Sequence, residues 1–328
     1  MFCCSLSIPK KSVNNEAEPP LVVWRLLDGK AGHEAQTAGL VQALGRRRAV
    51  ECHDIEVPRR RELLRDWICG RCRFGGDLPD PELLLGAGHR THVALLAARR
   101  ARGGRAVVLM RPSLPTCWFD FCLIPEHDQP RRRDNVIVTQ GVLNTIQPAE
   151  AASPERGLLL IGGPSEHYGW ETGAMIQQVR TVVEGSDAIT WTLTTSRRTP
   201  PETEAALVDL DLPNLKVEPV AQTPRGWVGD RLKECGLVWV SEDSVSMVYE
   251  ALTAGAKVGL LEVPAKGNGS RVARGVAKLE QAGRVSRFAD PLPELSTQGP
   301  QDCFNEAGRA AGALLERFDM SESNPDTV

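Results

Sequence analysis

The chain has 328 residues, 41% of them apolar and 25% charged, which is enough for two cores of ordinary domain size. Aromatic residues make up only 5% and the formal net charge is −3, which argues against a general nucleic-acid binder that works by base stacking and phosphate neutralisation. No apolar run approaches the roughly 18 residues needed to cross a membrane. Lys10-Lys11 follow the mildly apolar start instead of preceding it, the reverse of a secretory signal. Residues 1–20 are therefore expected to form a disordered tail, and the protein to be cytoplasmic.

From residue 21 onward, short apolar runs alternate with helical patterns. Leu21–Leu27, Ala49–Ile55, Glu82–Leu85, Ala106–Met110, Phe119–Ile124 and Val136–Val138 read as strands. Their nearly unbroken apolar character fits parallel strands covered on both faces. Helical segments such as His33–Leu44 and His92–Arg102 lie between them. A linker-like stretch follows, Gln147-Pro148-Ala149-Glu150-Ala151-Ala152-Ser153-Pro154. The pattern then restarts with Gly157–Ile161, Ala188–Thr194, Leu215–Val217, Gly236–Val240, Lys257–Glu262 and Arg284–Phe288. Repeated β-α units of this length predict an α/β protein of two Rossmann-like, doubly wound parallel-sheet domains facing a cleft. The predicted boundaries are 21–150 for the N-terminal domain and 151–318 for the C-terminal domain, with a frayed tail over 319–328. A last helix is predicted over Asp302–Phe318, with Phe304, Ala307, Ala311, Leu314, Leu315 and Phe318 on one stripe.

Charge is divided unevenly between the halves. Residues 21–150 carry 20 Lys and Arg against 15 Asp and Glu, whereas residues 151–328 carry 17 against 25. Three arginine triplets lie in the basic half: Arg46-Arg47-Arg48, Arg59-Arg60-Arg61 and Arg131-Arg132-Arg133. They are either solvated helix ends and loops or a docking face for an anionic membrane or a phosphate-bearing acceptor. Nine scattered cysteines fit a reducing compartment, and the lone Cys69-Gly70-Arg71-Cys72 lacks the second pair a zinc ribbon needs.

Four stretches carry candidate chemistry. Asp28-Gly29-Lys30-Ala31-Gly32-His33 follows the first strand and opens the first helix. Gly29 and Gly32 allow a sharp turn beside a ligand, and the free N–H groups of a helix start attract anions. His33 and Asp28 are candidate bases, His33 alternatively a plain loop or cap residue. Gly162-Gly163 follow an apolar strand and either line the cleft or make a simple tight turn. Thr195-Ser196-Arg197-Arg198-Thr199-Pro200 end another strand, where Ser196, Arg197 and Arg198 would clamp a diphosphate or simply be solvated. The fourth runs from Val240 to Leu261. A helix is expected to cap near Asp243 or Ser244, with Val245, Val248 and Leu252 inward. Asp243, Ser246 and Glu250 would form a polar stripe on another face. A carboxylate so placed can chelate a ribose diol while the helix start meets a diphosphate.

The fourth stretch resembles the donor-nucleotide motif of glycosyltransferase-B enzymes, of which the N-acetylglucosaminyltransferase that forms lipid II is the nearest well-known pattern. The full set is similar to a narrower family. Asp28 to His33, Arg111-Pro112, Pro125-Glu126-His127-Asp128, Thr195 to Pro200 and Asp243-Ser244-Val245-Ser246-Met247 occur in that order. They resemble the bacterial branch of the mitochondrial-fission family, named after a plant fission factor and also described as predicted nucleoside-diphosphate-sugar epimerases. The resemblance spans about residues 21–290. Gln222-Thr223-Pro224-Arg225-Gly226-Trp227 departs from the Asn-Pro-Tyr expected there.

The resemblance implies that Glu250 binds the nucleotide ribose, that Ser244 and Ser246 lie near the diphosphate, that Gly162 and Gly163 line the cleft, and that His33 lies on the acceptor side. The function expected is a metal-independent glycosyltransferase of cell-envelope or surface glycan synthesis. It would take a nucleotide-sugar donor as co-substrate, an acceptor that is unidentified and open to being lipid-linked, and no cofactor or nucleic acid. Peripheral membrane contact through the basic domain is part of the same expectation. Two alternatives stand beside it: an epimerase acting on the same donor, and a non-catalytic adaptor on the same fold.

Overall fold

The computed structural model describes residues 19–185, 187–267, 271–288 and 304–322. The tails expected at the two ends lie outside these residues, except for residues 19–20 and 319–322.

Among the described residues, twelve strands build two six-stranded, wholly parallel sheets. The first contains β1 (Leu21–Leu27), β2 (Val50–Glu56), β3 (Leu83–Ala87), β4 (Arg105–Leu109), β5 (Phe121–Pro125) and β6 (Val136–Thr139), in the order β2-β1-β3-β4-β5-β6. The second contains β7 (Ser153–Leu160), β8 (Thr190–Thr194), β9 (Leu215–Glu218), β10 (Cys235–Ser241), β11 (Lys257–Leu261) and β12 (Val285–Arg287), in the order β12-β11-β10-β7-β8-β9. Every strand read from an apolar run is present; β3 and β5 are buried along their whole length, while the edge strands β2 and β9 are largely exposed or half-buried.

Chain direction across each sheet reverses at one place, between β1 and β3 in the first and between β7 and β10 in the second. Connections leave opposite faces on either side of such a point, which opens a crevice at the carboxyl ends of the strands. The sequence-predicted glycine loops sit at these two crevices.

Helices cover both faces. On the first sheet, Leu40 and Leu44 of α1 (Ala31–Gly45) seal one side. Leu63 of α2 (Arg60–Cys69) and Leu95 of α3 (His92–Arg102) seal the other, around Trp24 and Ile124. On the second sheet, α4 (Thr172–Glu184) and α5 (Pro201–Val208) bury Val179 and Leu207 against Trp191. The opposite face takes Leu232 of α6 (Trp227–Leu232), Val248 and Leu252 of α7 (Val245–Ala254) and Val276 of α8 (Arg271–Gln281). Each fully buried aliphatic side chain contributes about 1.5–3 kcal/mol of transfer free energy.

The last helix corrects the expected domain division. It runs as α9 (Glu306–Glu322), four residues beyond the predicted end. By chain order it was assigned to the C-terminal domain, yet Ala307, Ala310, Ala311, Leu314 and Phe318 pack into the core of the first sheet beside α1. Three alanines on one stripe let α9 approach α1 closely. Polar anchors fix the arrangement: the Gln140 N–H donates to Glu306 Oε2 at 2.7 Å, and Arg317 donates to the Asp134 carbonyl at 2.6 Å. Phe304 stays behind in the second domain, its ring stacked on Tyr249 at 5.5 Å. An apolar stripe shows that a helix is covered but not by which sheet, so spacing alone could not place it.

Candidate functional site

At the first switch point, Asp28 follows β1 and organises the turn into α1. Its Oδ1 accepts from the Lys30 N–H at 3.0 Å, and the Gly29 N–H donates to Glu34 Oε1 at 3.1 Å. These side chains do the work of a cap, since Lys30 at the N-cap supplies no side-chain bond of its own. Asp28 Oδ2 lies 2.8 Å from His33 Nδ1, in the first turn of α1. The carboxylate side chain is fully buried while the imidazole is 19% exposed. With Asp28 ionised, Nδ1 carries the proton and Nε2 presents a lone pair outward, the arrangement of an oriented general base. The carboxyl and imidazole named separately from the sequence thus form one unit.

The wall behind this pair was not singled out in the sequence. Gly88, in the loop after β3, has φ +82°, and a Cβ there would stand 2.4 Å from the His33 ring and 3.0 Å from Asp28 Oδ2. Arg90 donates to the Asp28 carbonyl at 3.0 Å. Met110, just after β4 next door, holds φ +70°, a strained conformation for a long side chain. The signal for Gly88 was present as Gly86-Ala87-Gly88 at the end of an apolar run. His92, also unremarked, is buried at the start of α3 beside Ser113 at 3.2 Å, and burial lowers its pKa to about 4.

The second switch point is built differently. Gly162 and Gly163 follow β7, and their N–H groups are already used. Gly162 donates to Ser241 Oγ at 2.7 Å and Gly163 to Asp243 Oδ2 at 3.0 Å. A Cβ on Gly162 would meet Asp243 Oδ2 at 2.3 Å, and one on Gly163 would meet the Arg198 carbonyl oxygen at 2.1 Å. Close packing therefore requires these glycines. The same network engages one arginine of the expected clamp. Arg198 Nη2 donates to the buried Asp243 carboxylate at 2.8 Å, and Nη1 donates to the Gly163 carbonyl at 2.7 Å. Ser196 Oγ accepts from the Arg198 N–H at 3.2 Å and shapes the turn. Arg198, Ser196 and Asp243 thus hold the loop together. Arg197 is exposed and has no side-chain partner among the described residues.

The predicted polar stripe of α7 is also redistributed. Ser244 occupies the N-cap without a side-chain cap bond, which leaves the first-turn N–H groups open. Asp243 lies outside the helix and turns back into the Arg198 pair. Ser246 is exposed on the first turn. Glu250 is half-buried, one and a half turns into α7, and has no hydrogen-bond or ion-pair partner among the described residues. Burial alone pushes its carboxyl up to about 7. A carboxyl desolvated without a partner is an unspent acceptor, which is what a ligand diol requires.

The carboxyl edge of the first sheet abuts the second domain here. Glu126, after β5, accepts from Lys278 of α8 at 2.7 Å, and Gly141, after β6, lies against the Tyr249 ring. With His127 and Gly275 they border an interdomain cavity of about 300 Å³. The Cys69–Cys72 pair takes no part in it. Cys69 is exposed, and burial raises the Cys72 pKa to about 11, the opposite of a reactive thiolate. Among the described residues, no group of three or more His, Cys, Asp or Glu is arranged to hold a metal ion, and no helix is long and apolar enough to cross a membrane.

Similar folds occur in solved structures of low sequence identity. A Listeria monocytogenes protein assigned as a UDP-N-acetylglucosamine 2-epimerase superposes with a TM-score of 0.58 at 14% identity, covering 94% of this chain and 98% of that one. The UDP-GlcNAc 2-epimerase of Methanocaldococcus jannaschii gives 0.54 at 10% identity, with 90% and 99% covered. The glycosyltransferase of kitacinnamycin gives 0.50 at 14% identity, with 93% and 99% covered. These likenesses establish the glycosyltransferase-B fold of two Rossmann-like domains. No curated protein matches the chain in sequence. A family model does match, over residues 31–318, from the start of α1 through the second switch point to the returning last helix: the chain belongs to the family described as Mitochondrial fission ELM1.

Proposed function

We propose that the protein is a glycosyltransferase that uses a nucleoside-diphosphate sugar. The observation that carries this reading is Glu250, a half-buried carboxyl with no partner among the described residues, on the helix that starts at the second switch point. Glu250 accepts from the ribose diol. The open N–H groups of α7 and the free guanidinium of Arg197 face the diphosphate, where negative charge develops as the sugar leaves. Across the cleft, His33 Nε2 takes the proton of an acceptor hydroxyl while Asp28 stabilises the imidazolium. The acceptor oxygen then bonds to the anomeric carbon, and the bond to the diphosphate breaks. Helix dipole and arginine supply the positive charge, so the proposed reaction needs no metal or other cofactor.

The similar structures support the donor class, since two are described as UDP-GlcNAc 2-epimerases and one as a glycosyltransferase. We place the enzyme in the cytoplasm, a compartment that keeps exposed thiols such as Cys69 and Cys117 reduced, and assign it to envelope or surface glycan synthesis with an acceptor open to being lipid-linked. The Asp28–His33 pair also suits an epimerase, which would convert the same donor with no acceptor.

A thermal-shift series with UDP, GDP, CMP and ADP, without metal, tests the core of the proposal. One nucleotide is expected to stabilise the protein, by about 2.7 kcal/mol at a hundredfold excess over its dissociation constant, and Glu250→Ala should abolish the shift. No shift with any nucleotide at millimolar concentration would overturn the reading in favour of an adaptor. Conversion of the donor sugar alone, followed by NMR, would instead identify an epimerase.

A further inference from the structure

Four large hydrophobic side chains stand exposed among the described residues, and two of them, Ile68 (73% exposed) on α2 and Trp118 (41% exposed) on the turn before β5, belong to the first domain. Trp67 and Trp118 lie together, ring centroids 6.2 Å apart, joining α2 to the short turn before β5. Behind them is an open groove bordered by Leu96 and Arg100 of α3. This surface lies on α2 and α3, apart from the Asp28–His33 pair and from Glu250.

Positive charge predominates around the aromatic pair. Between residues 59 and 73 there are six arginines against Glu62 and Asp66, and Asp66 is buried beside Arg73 at 3.3 Å. Arg61, Arg65 and Ile68 fall at i, i+4 and i+7, on one face of α2, and all three are exposed. Arg61, Arg65 and Arg100 have no carboxylate partner among the described residues. The triplet at the end of α1 differs. Arg47 reaches the Gly308 carbonyl at 3.3 Å and Arg48 reaches Glu82 at 3.9 Å.

We propose that this α2–α3 surface docks on an anionic lipid bilayer, with Trp67, Ile68 and Trp118 entering the headgroup boundary and Arg61, Arg65 and Arg100 meeting lipid phosphates. Indole rings favour that depth, being apolar in body with one polar N–H. Arginines on the same helix face add attraction that an uncharged apolar patch would lack. The balance of the molecule orients the encounter, because the excess positive charge lies in the first domain and the second is acidic. A protein partner would have to present an acidic rim around an apolar socket; a bilayer presents both at once over an area without edges. The proposal goes beyond the donor reading and does not depend on it.

The test is co-sedimentation of the full chain with vesicles of phosphatidylcholine alone and with 30% phosphatidylglycerol, on the order of physiological salt and then at high salt. Binding is expected only to the anionic vesicles, with loss at high salt. Each arginine near the surface is worth about a fivefold change in partitioning, so Arg61→Ser/Arg65→Ser should lower it by about twentyfold. Brominated lipid should quench part of the tryptophan emission, and Trp118→Ser should remove much of that quenching. The far-UV circular dichroism and thermal unfolding midpoint of each variant, measured without lipid, separate misfolding from loss of docking. Failure to sediment with anionic vesicles overturns the proposal, as does sedimentation that neither substitution weakens.

Discussion

The two switch points occupy equivalent places in two similar sheets, and each holds a buried aspartate after a strand. At the first, the partner of Asp28 is an imidazole 2.8 Å away with its second nitrogen outward. At the second, the partner of Asp243 is the Arg198 guanidinium, also 2.8 Å away. A neutral imidazole has a lone pair that can accept a proton, and a guanidinium has none to offer. In the proposed reaction the first carboxylate orients a base, whereas the second ties two loops together. The fold supplies the position, and the partner decides what the position does.

The sharpest way to break the comparison is to remove the proton carrier. His33→Ala should lower turnover by about 10²–10⁴-fold and leave the nucleotide thermal shift unchanged. A similar loss in nucleotide binding would mean that the first switch point holds donor and not acceptor. Gly88→Ala tests the same unit from behind. A Cβ at 2.4 Å from the ring must displace His33, so turnover should fall by at least about tenfold, a 1 Å misplacement being enough to cost more than that. Unaltered kinetics would show that the ring orientation is irrelevant.

At the second switch point the readout should be stability. Asp243→Ala leaves Arg198 and the Gly163 N–H without their acceptor. Arg198 is 42% exposed, so water recovers part of the loss, and we expect about 2–3 kcal/mol in a denaturant titration with His33-dependent chemistry preserved. No loss of stability would contradict the scaffold role.

Glu250 gives the smallest and most specific effect. Its folded-state pKa is raised to about 7, above that of an unfolded glutamate, so the folded chain binds the extra proton. Stability from this group is full below the ordinary carboxylate range and is lost as pH rises through about 7. Glu250→Gln should flatten that decline. A ribose diol donates to the ionised form, so nucleotide affinity should rise severalfold across the same interval in the wild type and stay level in Glu250→Gln. A pH-independent affinity in both proteins would detach Glu250 from the ribose.

Much of the architecture was legible because the strands are continuous apolar runs, and Leu21–Leu27 was read with the bounds it has in the structure. The candidate site was legible unevenly. Asp28 and His33 are five residues apart, close enough for the local turn to be read, though their hydrogen bond was not. Arg198 and Asp243 are separated by 45 positions, and nothing in either loop announces that one neutralises the other. Arginines after a strand look the same whether they await a phosphate or hold a carboxylate. Helix α2 escaped notice because arginines interrupt its apolar positions, and those arginines are what mark its outer face. Glu250 was named from the polar stripe of its helix and its ribose role strengthened by the family resemblance, since a glutamate in a helix is ordinary until its environment is known.

The return of α9 to the first sheet has a consequence for the order of folding. Residues 21–139 leave the ribosome first, but one face of their core remains uncovered until Ala307, Ala310, Ala311, Leu314 and Phe318 are made. The second domain is, in effect, an insertion within the first and can close upon itself while its host waits. Shortening the chain at its far end should therefore unravel the half of the molecule synthesised earliest, and a nascent chain should expose the face of α1 until synthesis is nearly complete.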